Sequence, residues 1–162
     1  MQRKTITSTL MIAAFASIAA LQSAGVAAKP PSNVPGAEPY QTMVSLTVDN
    51  GSNGTNAYSS DPVPADRRLV IEFVSVWMLV PSGQKPMLSL TGSVNGAGMP
   101  FILPLTFVGT TTYGDEYRAT HQVRVYHDGN GSNGPGITCS RDAIFQGSAS
   151  CSATISGYLI GQ

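Results

Sequence analysis

The strongest candidate for ligand contact is a short segment in which two tyrosines flank two acidic residues. Tyr113, Asp115, Glu116 and Tyr117 stand close together beside a glycine. Aromatic rings stack on the apolar faces of ligands, while carboxylates accept hydrogen bonds from hydroxyl groups. The segment therefore predicts a loop that binds a glycan or another polar ligand. The competing interpretation is that these tyrosines pack at a sheet edge with a solvated hydroxyl.

Two further loops, residues 49–54 and 128–134, each combine a carboxylate with side-chain amides and glycines. Calcium favours such oxygen-rich loops, which makes Asp49, Asp128 and Asn130 its candidate ligands. The EF-hand spacing is absent, however, and each loop supplies a single carboxylate. Asn-Gly pairs also close hairpins, so the sequence favours turns without a metal ion and leaves calcium as the alternative.

The two histidines are poorly spaced for metal binding. If His121 and His127 lie on one strand, six residues at about 3.3 Å each place them about 20 Å apart on the same face. That separation is too long for a shared metal ion. His121 could exchange a proton with Asp115 or Glu116, but a solvated histidine at a strand end is the simpler interpretation.

Catalytic groups are sparse elsewhere in the chain. A glycosidase needs two carboxylates about 5 to 10 Å apart across the scissile bond. Glu72 is the one acidic residue inside a clear strand pattern, and no serine stands in a Gly-x-Ser-x-Gly motif. The sequence therefore predicts no catalytic residue and no cofactor, and a hydrolase is the third functional candidate.

The two cysteines, Cys139 and Cys151, predict a disulfide bond. Closing a loop of this size stabilises a fold by about 3 kcal/mol in the chain-entropy model. If the last two strands form a hairpin that turns near residues 145–147, antiparallel pairing places the two cysteines opposite each other. We therefore expect a hairpin bridged by the disulfide.

The first 28 residues have the pattern of an export signal. Arg3 and Lys4 precede a mostly apolar stretch over residues 10–26, and small residues follow up to Ala28. This order predicts cleavage after Ala28, with an uncleaved membrane anchor as the alternative. The protein is then expected in the periplasm or outside the cell.

Strand patterns dominate the rest of the chain. Proline-rich residues 29–41 predict an extended leader, and residues 42–162 predict one domain. Between residues 68 and 80 the odd positions are apolar, which predicts a buried face containing Phe73 and Trp77. Residues 101–107 alternate around a proline, which predicts one edge strand.

Short strands separated by Gly, Asn and Pro turns predict an all-β fold, an antiparallel β-sandwich or jelly roll of seven to eight strands. A small barrel is the alternative.

A resemblance supports this architecture. The run Val63–Ser75 (VPADRRLVIEFVS) and the ending Ile155–Ile160 (ISGYLI) are similar to small exported bacterial proteins without assigned function. The chain departs from them at Asp66, where many have glycine, and in its two cysteines. The resemblance implies export and an all-β fold, and it carries no catalytic residue to this chain.

Composition narrows the functional classes. The chain has 162 residues with 9 basic and 9 acidic side chains, so it lacks the basic surplus that binds nucleic acid. Past the signal, no apolar run is long enough to span a membrane. We therefore expect a non-catalytic module that binds a glycan, a peptide or an envelope protein. The alternative is an envelope subunit that self-associates through a sheet edge.

Overall fold

The computed structural model describes residues 34–142 and 147–162, which form nine strands and no helix. The all-β prediction is confirmed, and the predicted signal at residues 1–28 lies outside the described residues. The first strand starts inside the stretch predicted as a leader. The strands are β1 (Glu38–Val48), β2 (Gly54–Tyr58), β3 (Arg67–Val80), β4 (Pro86–Val94), β5 (Ala97–Leu103), β6 (Thr106–Thr111), β7 (Gly114–Asp128), β8 (Gly136–Arg141) and β9 (Ala149–Gly161).

The strand pairings are nested along the chain. β1 pairs with β9, β2 with β8, β3 with β7 and β4 with β5, all antiparallel. Two more antiparallel pairings, β3 with β9 and β4 with β8, assemble these strands into two groups. The first group is β1-β9-β3-β7 with β6 beyond β7, and the second is β2-β8-β4-β5.

A single parallel residue pair, Ser93 with His127, connects the two groups through β4 and β7. The nine strands are therefore one mixed, nearly barrel-shaped sheet. The count exceeds the expected seven to eight because residues 101–107 do not form one strand. Pro104 separates β5 from β6, since proline has no N–H to donate to a ladder.

Both groups of strands contribute to one hydrophobic core. Val44 and Val48 from β1, Leu88 from β4 and Ile137 from β8 belong to the same buried cluster. Alternate residues of β1 and β4 face this cluster, as period-two burial requires. Val44 and Val48 therefore lie on the buried face of β1.

The buried face of β3 changes parity half-way along the strand. Leu69 and Ile71 are buried, as predicted, but beyond Glu72 the even-numbered residues are buried and Trp77 is 36% exposed. The pairings of β3 with β7 and with β9 both shift register between Ile71 and Phe73. An irregularity of this kind moves every later side chain to the opposite face. The placement of Trp77 in the core was therefore wrong.

The disulfide between Cys139 and Cys151 is present, but the hairpin predicted around it is not. β8 pairs with β2 and β4, whereas β9 pairs with β1 and β3. The bond therefore joins the two groups of strands, with both cysteines in the core. The predicted turn falls largely on residues 143–146, which lie outside the described residues.

Polar contacts link the two groups on the side where β1 approaches β2. The Tyr40 hydroxyl donates to the carbonyl of Asp61 at 2.7 Å, and the Thr42 hydroxyl donates to the Asp61 carboxylate at 2.6 Å. The hydroxyl oxygens of Thr42 and Ser59 lie 2.5 Å apart. Burial raises the pKa of the Tyr40 hydroxyl, which keeps it protonated as a donor. These contacts close this side of the molecule.

Candidate functional site

Of the four residues of the predicted tyrosine–acid segment, Tyr113 lies in the turn between β6 and β7. Asp115, Glu116 and Tyr117 lie in β7 itself, so the predicted loop was wrong for these three. Tyr113 is 85% exposed. Asp115 is buried, and its carboxylate accepts hydrogen bonds from the Gly83 amide at 2.8 Å and the Thr110 hydroxyl at 2.7 Å. These two donors hold the pKa of the Asp115 carboxyl below its usual value. Asp115 thus fastens two turns together.

The other two residues of the segment also contact neighbouring strands. Glu116 accepts hydrogen bonds from the Trp77 indole at 3.2 Å and the Arg118 guanidinium at 2.6 Å. The Tyr117 ring meets the Phe107 ring edge-on, with centroids 5.4 Å apart. Ligand binding by the segment stays a prediction, in which Tyr113 has the most open side chain.

The calcium candidates of the first oxygen-rich loop contact a cation of the chain itself. The carbonyl of Asp49 accepts a hydrogen bond from the Arg141 guanidinium at 2.9 Å, and the carbonyl of Ser52 accepts another at 3.0 Å. Arg141 is 4% exposed and also donates to the carbonyl of Gly147 at 2.8 Å. A guanidinium therefore contacts the backbone carbonyls of Asp49 and Ser52 in this loop, and calcium binding there stays a prediction.

The second oxygen-rich loop uses its ligands within the fold as well. The Asp128 carboxylate accepts from the Arg68 guanidinium at 2.5 Å and from the Asn95 amide at 2.8 Å. The Asn130 side chain caps the turn by accepting from the amides of Ser132 and Asn133. Within residues 34–142 and 147–162, no three His, Cys, Asp or Glu side chains form a group that could hold a metal ion.

The two histidines lie on one strand, β7, as the sequence suggested. A ring nitrogen of His121 lies 2.8 Å from the carbonyl of Pro104, between β5 and β6. His127 is 5% exposed, and neither ring nitrogen has a hydrogen-bond partner within the described residues. Burial lowers the pKa of the His127 imidazole, although the nearby backbone of Asn133 and the charge of Asp128 oppose the shift.

A cavity of about 430 Å³ lies beside His127. It is bordered by the ends of β2, β4 and β7, by the turn into β5 and by the loop that follows Asp128. Its lining is mostly small or polar: Tyr58, Thr91, Gly92, Ser93, Gly96, Gly98, His127, Asp128, Gly129, Asn130 and Asn133. His127, Asp128 and Asn130 were singled out in the sequence for other chemistry, but the cavity itself was not predicted, because its lining comes from distant parts of the chain.

A second surface feature lies on the two edge strands β5 and β6. Five of their large apolar side chains are exposed, and we call them the β5–β6 edge surface: Met99, Phe101, Ile102, Phe107 and Val108. No charged residue or histidine occurs between Lys85 and Asp115. This uncharged run was the sequence signal that could have revealed the surface.

Several side chains of the edge surface are on the core-facing side of their strands. Phe101 is paired with the buried Leu90, and Phe107 is paired with Tyr117, which packs against the core. Directly opposed residues project from the same face of a sheet. Phe107 is nevertheless 53% exposed. Part of the core-facing apolar surface is therefore exposed to solvent along β5 and β6.

Comparisons with known proteins give little further information. No protein-family model matches the chain, and no curated protein is significantly similar to it. The extra small virus of the giant freshwater prawn Macrobrachium rosenbergii, solved as a VLP, has a chain with 14% identity and a TM-score of 0.35, over 96% of this chain and 97% of that one. A chain of infectious bursal disease virus, Gt strain, has 12% identity and a TM-score of 0.29, over 79% of this chain and 41% of that one.

Both TM-scores are too low to establish a shared fold. The chain spans less than half of the bursal disease virus chain. In residues 34–142 and 147–162, no helix has the length and apolar character needed to cross a bilayer.

Proposed function

We propose that the protein is a non-catalytic jelly-roll subunit that self-associates through the β5–β6 edge surface. The nested pairings support the jelly roll. When a long β-hairpin is rolled into two sheets, its first strand pairs with its last and its second strand with its second-last, as β1 and β2 do here with β9 and β8. The shared core of the two strand groups and the disulfide between them support two sheets facing each other.

The observation that carries self-association is the exposure of core-facing apolar side chains on both edge strands. An ordinary edge strand is protected by charges, prolines or irregular pairing. Here the charges are missing, and the core-facing side chains of Phe101 and Phe107 are 36% and 53% exposed. Covering such side chains releases about 25 cal/mol per Å² of apolar area. A partner that covers this side completes the core.

A second copy of the chain is the occupant that the surface fits. A surface without charge has no electrostatic pattern with which to select a different protein. The same surface on another copy is equally apolar and uncharged, so a two-fold axis can place the two against each other. Pro100 has no N–H and β6 shifts register after Phe107, so the contact is made by side chains rather than by an added strand.

The contacts of the acidic residues support a non-catalytic role. Asp115, Glu116 and Asp128 each accept hydrogen bonds that tie strands or turns together. The predicted signal peptide and the disulfide support export, because disulfides form and persist in oxidising compartments. The subunit is then part of the cell envelope or of an extracellular structure.

The test is the molar mass of the purified protein by light scattering over a range of concentrations. We expect a dimer or larger species, and we expect Phe101→Glu or Phe107→Glu to raise its dissociation constant about a hundredfold by burying a charge. The control is Met43→Glu, at a residue of β1 that is 65% exposed and apart from the surface. It should leave the mass unchanged.

Two results contradict the proposal. One is a wild-type protein that remains monomeric at every concentration. The other is an oligomer that Met43→Glu weakens as much as Phe107→Glu does, since a different surface is then responsible. Thermal unfolding of each variant shows whether a loss of mass reflects loss of the fold.

A further inference from the structure

We propose that the cavity beside His127 binds an uncharged saccharide. Its volume of about 430 Å³ is within the range of about 300 to 1,000 Å³ that small-molecule sites occupy. The proposal does not depend on self-association, because none of the five edge-surface residues lines the cavity, which reaches β5 only at Gly98.

The charge balance of the cavity favours a neutral ligand. Asp128 is the one charged residue in its lining, and Arg68 pairs with that carboxylate. The Asn95 amide also donates to it, so its oxygens already have partners within the fold. Neither a phosphate nor a metal ion finds an uncompensated charge in this lining, whereas a neutral polyol needs none.

His127 supplies unused hydrogen-bonding capacity to the site. The imidazole lines the cavity and is 5% exposed, and neither ring nitrogen has a partner at hydrogen-bond geometry within the described residues, although the backbone of Asn133 lies close enough to oppose the lowering of its pKa. A buried polar group without a partner costs about 1 to 3 kcal/mol, so proteins seldom keep one without a use. A neutral imidazole offers one donor and one acceptor, which is also what a sugar hydroxyl offers.

Tyr58 supplies an aromatic surface on the rim. Its side chain is 53% exposed, and the ring lies so close to Gly136 that a Cβ there would come within 2.9 Å of two ring atoms. Gly136 therefore lets the ring lie against the backbone of β8, which fixes its orientation. A ring fixed in this way can stack on the apolar face of a pyranose with little loss of conformational entropy.

The remaining lining residues match the many hydroxyl groups of a saccharide. Ser93 and Thr91 offer hydroxyls, and Asn133 offers an amide. Gly92 allows β4 to approach β7, because a Cβ at that position would lie 2.5 Å from the carbonyl of Tyr126. Further glycines around the cavity leave backbone N–H and C=O groups within reach of a ligand.

The experiment titrates the isotopically labelled protein with glucose, galactose, mannose and N-acetylglucosamine, each followed by amide chemical shifts in NMR. We expect at least one sugar to shift the amides of residues 91–98 and 128–134 in a saturable way. Tyr58→Ala should weaken its affinity about tenfold by removing the stacking surface. Met43→Ala is the control, since that side chain is 65% exposed on β1 and is not in the cavity lining, and it should bind as the wild type does.

Three results overturn the proposal. The first is that none of the four sugars produces saturable shifts. The second is that shifts cluster around residues 113–117, which would place binding at the tyrosine–acid segment instead. The third is that Tyr58→Ala keeps its native spectrum and binds the sugar with unchanged affinity.

Discussion

At the scale of single residues, Arg141 explains the geometry of the first oxygen-rich loop. Its buried guanidinium donates to carbonyls of Asp49, Ser52 and Gly147, and to the side-chain oxygen of Gln84 at 3.2 Å. One side chain therefore fastens the loop between β1 and β2 to the turns on either side of it. The sequence shows the oxygen-rich loop but not the arginine that contacts it, because Arg141 is 89 positions beyond Ser52 and 92 beyond Asp49.

We expect Arg141→Met to lower the free energy of unfolding by about 3 kcal/mol, because it leaves several buried carbonyls without a donor. Urea unfolding followed by circular dichroism measures this change. The matched control is Arg118→Met, since the Arg118 side chain is 64% exposed beside Glu116 and should contribute less than about 1 kcal/mol. Equal stabilities for the two variants would show that the Arg141 contacts are not important for the fold.

The tyrosine–acid segment shows where prediction at the residue scale stops. Its residue types suggested a binding loop, and Tyr113 is indeed open to solvent. Sequence spacing could not show that Asp115 would meet Gly83 or that Glu116 would meet Trp77, since both contacts join distant parts of the chain. The same reason hid the cavity around His127.

At the scale of the elements, β3 shows how one irregularity limits a periodic pattern. Alternation correctly identified a long buried strand and the burial of Leu69 and Ile71. Apart from Ser75, both the odd and the even positions of this strand are apolar beyond Glu72, so alternation alone does not reveal the change of face. The change depends on how β7 and β9 pair with it, which is information outside the strand.

The exposure of Trp77 gives this change of face a direct test. Trp77 is the only tryptophan of the chain, so its fluorescence reports on one position. We expect acrylamide to quench the native protein readily and the emission to shift little on unfolding in urea, because the indole is already partly solvated. Strong protection from acrylamide in the native state would instead place Trp77 in the core and exclude the register shift.

The disulfide between the two cysteines was predicted correctly, but the hairpin that was predicted to contain it was wrong. Their number and the predicted compartment were sufficient to predict the disulfide. The hairpin followed from assuming that β8 and β9, which are neighbours in sequence, also pair. In nested pairing β8 meets β2 and β9 meets β1, so the bond connects the two strand groups rather than neighbouring strands.

At the scale of the whole molecule, the two sides of the strand assembly differ. Where β1 approaches β2, the hydrogen bonds of Tyr40, Thr42 and Asp61 close the fold. On the side of β5 and β6, core-facing aromatic side chains remain exposed. The alternation of apolar and polar residues predicted strands and a core. It could not show which edge strands of the sheet stay uncovered, because that depends on the order of the strands.

Hydrogen–deuterium exchange at increasing protein concentration tests the central claim most directly. If two copies meet at the β5–β6 edge surface, the amides of β5 and β6 become more protected as concentration rises. The amides of β1 and β2, the other edge strands, should exchange at a constant rate and serve as the internal control. Exchange in β5 and β6 that does not depend on concentration, or protection that appears at β1 and β2 instead, would contradict self-association through this surface.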